Sequence, residues 1–297
     1  MRNFHVGLAV LVTAIWGFNF VVIEVGLDSF PPFLFSAVRF ALAAFPLVFF
    51  IGPPRVAWRW VIGVGFVLGV VKFSFLFIGM DMGMPAGLSS VVLQSQAFFT
   101  VLFAAVILAE RPHPMQALGI LVAFGGIGLI AMTQEGAGSL TALALVVAAG
   151  AMWGISNILM KMSNAPDMFR LLVWASIVQP LPLLALSYVF EGETRIVAAI
   201  NGLTWIGAGT VTYMAFISTL LAFGIWGFLL RTYSASFVAP FSLLVPIFGM
   251  GSAAILLDET FGPLRLAGAA LVLAGLIATV FGPTLARRMK DKVPRSA

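Results

Sequence analysis

Long apolar runs separated by short polar gaps dominate the chain. A helix that crosses the hydrocarbon core of a bilayer needs about 20 mainly apolar residues, and runs of this length recur along the whole sequence. The predicted spans are 5–26, 33–51, 59–80, 86–109, 115–133, 140–161, 168–190, 203–230, 236–257 and 264–285. Because the connections are short, the pattern predicts an all-α membrane protein of ten transmembrane helices, with antiparallel neighbours in a bundle.

Composition supports the membrane assignment. Of the 297 residues, 61% are hydrophobic and 9% are charged, whereas a soluble domain has about 25% charged residues. The formal net charge of +5 could suit nucleic acid, but the basic residues lie in gaps between apolar runs, so the expected surroundings are lipid and no nucleic acid. The chain has no Cys and no cluster of metal ligands, so no metal or cofactor is expected. The run after Met1 lacks a cleavage pattern and is interpreted as a retained first span.

The distribution of Lys and Arg predicts the orientation of the spans. With the N-terminus in the cytoplasm, most of the basic residues fall on the cytoplasmic side, namely Arg2, Arg55, Arg59, Arg111, Lys161, Arg170, Arg231, Arg287, Arg288, Lys290, Lys292 and Arg295. The opposite side collects Asp28, Asp81, Glu135, Glu191, Glu193, Asp258 and Glu259, beside Arg195 and Arg265. The positive-inside rule therefore predicts a multi-pass protein of the bacterial inner membrane, with both termini cytoplasmic and a basic cytoplasmic tail at 286–297.

The two halves of the chain share local patterns. Trp16-Gly17 in the first span corresponds to Trp153-Gly154 in the sixth, and the Glu110, Pro114, Gly119 spacing recurs as Glu259, Pro263, Gly268. These matches predict a repeat of 1–133 and 140–285. Since each half has five spans, an odd number, the halves would be inverted and would bind substrate between them near the midplane. Chance similarity between Gly- and Ala-rich helices is the alternative.

Several motifs carry a family resemblance. They are Trp16-Gly17-Phe18-Asn19-Phe20, Pro31-Pro32-Phe33, Val38-Arg39-Phe40, the segments 83–88 and 93–100, Gly224-Ile225-Trp226-Gly227 and the segment 239–246. Over nearly its whole length the chain resembles EamA-type members of the drug/metabolite transporter superfamily, in particular the cysteine/O-acetylserine and aromatic amino-acid exporters. The resemblance implies a ten-helix exporter of amino acids and related metabolites. Ala97 stands where many members have Pro, which predicts a straighter fourth helix than the ninth, where Pro246 is present.

Polar and aromatic residues near mid-depth are the candidate substrate contacts, because polar groups in a bilayer need a partner or a wet cavity. They are Trp16, Asn19, Lys72, Gln94, Gln96, Trp153, Asn157, Tyr213, Ser218 and Ser242. Lys72 is the one ionisable residue that helical rise places near mid-depth. Either it anchors a carboxylate, or it snorkels or binds backbone carbonyls. The amide and aromatic residues could equally be interhelical packing.

Other residues are candidates for motion and assembly. Glu24 and Arg39 are predicted in the outer halves of their spans, as an ion pair or outer gate. Gly17, Gly154, Gly224, Gly227 and Pro246 are the predicted bending points of an alternating-access cycle. The fifth and tenth spans are rich in small residues and are expected to be peripheral packing helices, in either a monomer or a homodimer.

These features favour a carrier over an enzyme or a channel. His5 and His113 lie at predicted span edges, no pair of carboxylates is predicted at mid-depth, and no repeated filter sequence occurs. The substrate is expected to be a small molecule, a zwitterionic amino acid by elimination. Because no Asp or Glu is predicted at mid-depth, export should be facilitated or weakly coupled. The alternative is a carrier of a sugar, nucleotide sugar or organic cation in the same superfamily.

Overall fold

The computed structural model describes residues 1–134, 137–233 and 235–292. Glu135, Arg295 and the end of the predicted basic tail lie outside the described residues. Within the described part, the chain forms helices and no β-strand. The first half contains α1 (Asn3–Leu27), α2 (Pro32–Val48), α3 (Trp58–Asp81), α4 (Ala86–Ile107) and α5 (Pro114–Ala131). The second half contains α6 (Ala137–Ser163), α7 (Met168–Asn201), α8 (Trp205–Thr232), α9 (Ala235–Val238, Ala239–Leu243 and Leu244–Leu256) and α10 (Pro263–Lys292).

The lengths of the apolar helices make this a multi-pass membrane protein. In the described residues, 8 helices are long and apolar enough to cross a bilayer. The apolar parts of α2 and α9, Pro32–Phe45 and Pro240–Leu256, are shorter. Each predicted run therefore corresponds to a helix. By length, 8 of these helices can cross a bilayer, compared with the ten spans that the sequence predicts.

The seventh helix continues beyond its predicted end. A π-helical turn, Ser187–Glu191, is followed by Gly192, whose φ of 78° suits glycine, and then by the amphipathic segment Gly192–Asn201. The Glu191 carboxylate accepts hydrogen bonds from the backbone N–H groups of Phe33 at 2.6 Å and Leu34 at 3.2 Å. This contact joins α7 to the first turn of α2. The segment Gly192–Asn201, which lies between two predicted spans, is helical.

The fourth helix is interrupted although it has no proline. A turn at Leu93 and Gln94 divides α4 into Ala86–Val92 and Ser95–Ile107. The ninth helix is also interrupted, by the 3₁₀ turn Ala239–Leu243. The break in α4 needs no proline, because Gln94 and Ala97 form hydrogen bonds to carbonyls three residues earlier. The Gln94 side chain then donates to the Ser242 carbonyl at 3.2 Å, which joins the two interrupted helices.

The centre of the bundle depends on two close helix contacts between the halves. A Cβ at Gly17 in α1 would lie 2.5 Å from the Cβ of Phe248 in α9. In the same way, a Cβ at Gly154 in α6 would lie 2.8 Å from the Cβ of Phe99 in α4. Both predicted bending points are thus positions where glycine lets two backbones approach closely. In contrast, a Cβ at Gly224 or Gly227 would have no neighbour within 4 Å.

Helices α5 and α10 pack against each other at the periphery. A Cβ at Gly119 would lie 2.6 Å from the Gly275 carbonyl oxygen, and a Cβ at Gly126 would lie 2.6 Å from that of Gly268. These glycines therefore allow close packing between two helices of the same chain. Gly125 and Gly128 have open space around them instead.

The Gly126 contact predicts a stability difference between two adjacent substitutions. Gly126→Ala should destabilise the protein by about 1–3 kcal/mol, because the added methyl group would overlap the α10 backbone. Gly125→Ala adds the same methyl group into open space, so it should be neutral or slightly stabilising. Thermal unfolding of the purified protein in detergent measures both, and equal midpoints for the two variants would contradict the packing described for α5 and α10.

Candidate functional site: a cationic cavity in the bundle

A cavity of about 450 Å³ lies in the interior of the bundle. It is lined by most of the predicted substrate contacts: Trp16, Asn19, Lys72, Gln94, Gln96, Trp153, Asn157, Ser218 and Ser242. Side chains from both halves thus meet around one space. Tyr213 does not line the cavity, since its hydroxyl donates to the Ile15 carbonyl at 2.9 Å and its ring packs against Phe18. Its described contacts are structural.

The cavity reaches one end of the bundle. We call the end of the bundle where α1 begins the N-terminal end. The end of α8 lies there too, because the Tyr233 hydroxyl and His5 Nδ1 are hydrogen-bonded at 2.7 Å. The lining includes Phe169, one residue inside α7, and Leu230, close to the end of α8. Toward the opposite end the lining stops at residues such as Leu76 and Ser90. The lining therefore extends closer to the N-terminal end, along α7 and α8, than to the opposite end.

Contacts between the halves close the opposite end. The Glu259 carboxylate accepts hydrogen bonds from the backbone N–H groups of Ala86 at 2.7 Å and Gly87 at 3.1 Å, at the start of α4. Burial raises the pKa of the Glu259 carboxyl, while the hydrogen bonds from Gly87 and Ala86 and the charge of Arg265 oppose that rise. The cap formed by Glu191 on α2 lies at the same end. Carboxylates suit these positions because helix N-termini carry a partial positive charge.

The corresponding residue at the N-terminal end makes a different contact. Glu110, which matches Glu259 in the repeat pattern, forms a 2.5 Å salt bridge with Lys161. Both side chains are about half exposed, at 58% for Lys161 and 48% for Glu110. The two ends of the bundle are therefore held differently, with caps at the closed end and an exposed ion pair at the N-terminal end.

Lys72 lies in the cavity wall without an anionic partner. Its ammonium nitrogen lies 3.4 Å from the centroid of the Phe73 ring and 4.6 Å from that of the Trp153 ring. Lys72 is 3% exposed, and it has no hydrogen bond or ion pair within the part of the chain that the structure describes. The side chain lies against these two rings at the cavity and binds no carbonyl of the described residues.

Arg39 also lines this cavity, beside Lys72. Its Cζ lies 4.3 Å from the centroid of the Phe73 ring, and its Nη2 donates to the Thr219 hydroxyl at 3.3 Å. Arg39 forms no salt bridge with Glu24. Among the described residues, the ion pair is that of Lys161 with Glu110. Glu24 does not line the cavity, and its buried Oε2 has no hydrogen-bond partner. Arg39 lies near the middle of α2 and not in its outer half.

Neutral polar groups complete the wall. The indole N–H of Trp16 donates to the Ser218 carbonyl at 3.1 Å. The Asn157 side chain donates to Gln96 Oε1 at 2.9 Å, and this contact joins α6 to the Ser95–Ile107 segment of α4. The side-chain amide oxygen of Asn19, a residue that lines the cavity, is buried without a hydrogen-bond partner. No Asp or Glu is among the described residues that line the space.

Similarity to known proteins agrees with this architecture. The EamA-like transporter family matches residues 3–132 and again 140–281. A "Probable amino-acid metabolite efflux pump" of Salmonella typhimurium (strain LT2) is 42% identical over 93% of this chain and 94% of that protein. A protein of the same name from Escherichia coli (strain K12) is 39% identical with the same coverage. A crystal structure with a TM-score of 0.57 covers 99% of this chain and 100% of that one at 16% identity, which shows similarity of fold.

Proposed function

Because the chain belongs to the EamA-like transporter family, we propose that it exports amino acids and related small metabolites from the bacterial cytoplasm by alternating access. The family and the named relatives are transporters, so the protein is a transporter and not an enzyme, as the sequence predicts. Two relatives that match over most of their length are named amino-acid metabolite efflux pumps. Amino-acid metabolites are therefore the first substrates to test.

The observation that carries this proposal is the cavity, whose described lining includes the cations Lys72 and Arg39 and no acid. A substrate carboxylate would pair with Lys72 and recover the interactions that it loses on leaving water. Asn19 and Gln94 would bind its remaining polar groups, and Trp16 and Trp153 would contact its apolar part. About 450 Å³ is within the range for a small ligand.

The proposed membrane arrangement has ten spans in two inverted repeats, with both termini in the cytoplasm of a cell with an inner membrane. Three pairs of features support the repeat. The glycine contacts of Gly17 and Gly154 correspond, as do the interruptions of α4 and α9. Ala109 and Asp258, which immediately precede the matched Glu110 and Glu259, both have a φ of 53°. We take 1–133 and 140–285 as the repeats and 286–297 as the tail.

In this arrangement the structure corresponds to an inward-facing state, because the cavity reaches the end that carries the N-terminus. Transport would then break the Glu191 and Glu259 caps and open the other end. Gly224, Gly227 and Pro246 are the remaining candidates for bending points. Since the described lining contains no acid, we propose facilitated or weakly coupled export.

Counterflow in proteoliposomes tests the proposed function. Vesicles loaded with an unlabelled amino acid should take up the labelled form from outside, because exchange through one carrier needs no other energy source. The panel contains amino acids, sugars and organic cations, and protein-free vesicles are the control. Exchange of amino acids alone is the expected result. Exchange confined to sugars or organic cations would replace this proposal with the alternative carrier class.

A further inference from the structure

Two cationic side chains lie close to each other in the cavity wall. Lys72 Nζ lies 3.4 Å and Arg39 Cζ lies 4.3 Å from the centroid of the same Phe73 ring. The two charges therefore cannot be farther apart than the sum of those distances, so both act on the same part of the cavity. Both residues are 3% exposed, so little solvent screens their charges.

The hydrogen bonding of Arg39 is incomplete. A guanidinium has five N–H donors, and an arginine with a purely structural role in a buried site would have them satisfied. Here one donor reaches Thr219, at 3.3 Å, while Nε and Nη1 are buried without a partner. Burying charge without a counter-ion is costly. The arrangement leaves uncompensated positive charge beside the cavity, which favours a ligand that brings negative charge.

The surroundings suit an ammonium group poorly. The described lining offers it no carboxylate. The rings of Phe73 and Trp153 are already contacted by Lys72, and those of Phe73 and Phe40 by Arg39. An ammonium group would have to use the other rings of the lining, such as those of Trp16, Phe223 and Trp226. The unpartnered Asn19 oxygen can accept a hydrogen bond from a neutral amide N–H as well as from an amine. A net anion therefore fits this cavity better than a zwitterion.

Resting on the proposed export function, we infer that the preferred substrates are amino-acid derivatives with a net negative charge, bound across Lys72 and Arg39. Such a compound has either a second carboxylate or an acylated amine. This differs from the zwitterion expected from the sequence, in which Lys72 was the one cation near mid-depth. Export of an anion would also use the inside-negative membrane potential, worth roughly a fiftyfold concentration ratio per 100 mV for each charge.

Two matched ligand pairs test this inference by counterflow. Glutamate and glutamine have the same shape and differ in one charge. N-acetylalanine differs from alanine by an acetyl group, which removes the positive charge of the amine. The unaltered protein should prefer glutamate over glutamine, and N-acetylalanine over alanine, by at least about tenfold in competition, since hydrogen bonds to charged groups are strong. Equal exchange or a preference for the neutral partner overturns the inference while leaving amino-acid export intact. If neither member of any pair exchanges, the proposed function itself fails.

The Arg39→Gln variant tests the residue assignment. It should reduce the anion-to-zwitterion ratio to near one, whereas Arg39→Lys, which keeps the charge, should restore part of the preference. An unchanged ratio in Arg39→Gln would remove Arg39 from the site. Size-exclusion profile and thermal unfolding in detergent identify a misfolded variant, and in that case the ligand ratios of the unaltered protein still decide the inference.

Discussion

Lys72→Met is expected to reduce amino-acid transport by roughly tenfold to a hundredfold, because a hydrogen bond between charged groups contributes about 1.5–3 kcal/mol. Methionine retains the length and apolar packing of the lysine stem against Phe73 and Trp153, so the substitution removes mainly the charge. Counterflow in proteoliposomes, at matched protein density, measures the effect. The loss should appear as weaker substrate binding as well as slower exchange, since the cation would bind the ground-state ligand.

A second lysine provides the control. Lys161 has its ion pair with Glu110 at the N-terminal end and is 58% exposed. Because exposed ion pairs contribute little, Lys161→Met should transport within about twofold of the unaltered protein. If Lys72→Met also transports normally at equal expression, the role of Lys72 is packing against the two rings, and the carboxylate anchor must be sought elsewhere in the cavity.

The second large effect is expected from locking the closed end. Gly207 at the start of α8 lies against Ser29 after α1, where a Cβ on Gly207 would be 2.9 Å from the Ser29 Cβ. The chain has no Cys of its own, so a Ser29→Cys, Gly207→Cys pair can be crosslinked without background. That Cβ separation is shorter than the ~3.8 Å of a relaxed disulfide, so a small backbone shift must accompany the bond.

Oxidation of this pair should reduce transport to the level of protein-free vesicles, because alternating access requires α1 and α8 to separate at that end. Reduction should restore it, which distinguishes the lock from damage. The two single-cysteine variants, oxidised in the same way, should remain active. Full transport by the crosslinked protein, with crosslinking verified by mass spectrometry, would contradict the rocking motion and require a different route through the bundle.

The helices were predictable because their signal is local. Twenty apolar residues in a row are a membrane length whatever they pack against, and the ends of α1, α3 and α5 fall close to the predicted ones. The amphipathic extension of α7 was missed because its order depends on Glu191 meeting the start of α2, a contact across 158 positions of the chain. The break in α4 was missed because it is made by a turn rather than by a proline.

Candidate cavity residues could be predicted as a set because polar side chains within apolar runs are rare and conspicuous. Their arrangement could not be predicted from spacing. Tyr213 and Asn19 are both polar residues in spans, yet only Asn19 lines the cavity. Arg39 was placed in the outer half of its span because that span was predicted as 33–51, whereas α2 ends at Val48 and Arg39 lies near its middle.

By itself, the sequence determined that this is a helical membrane protein, which segments lie in lipid, and that its two halves share a pattern, because hydropathy, charge and motif spacing are properties of neighbouring residues. Only the tertiary structure decided that Lys72 and Arg39 converge on one ring, that Glu191 and Glu259 cap helices of the other half, and that Gly17 and Gly154 are close-packing positions. Those contacts depend on the rotation and mutual placement of helices, which are set by packing between residues far apart in the chain.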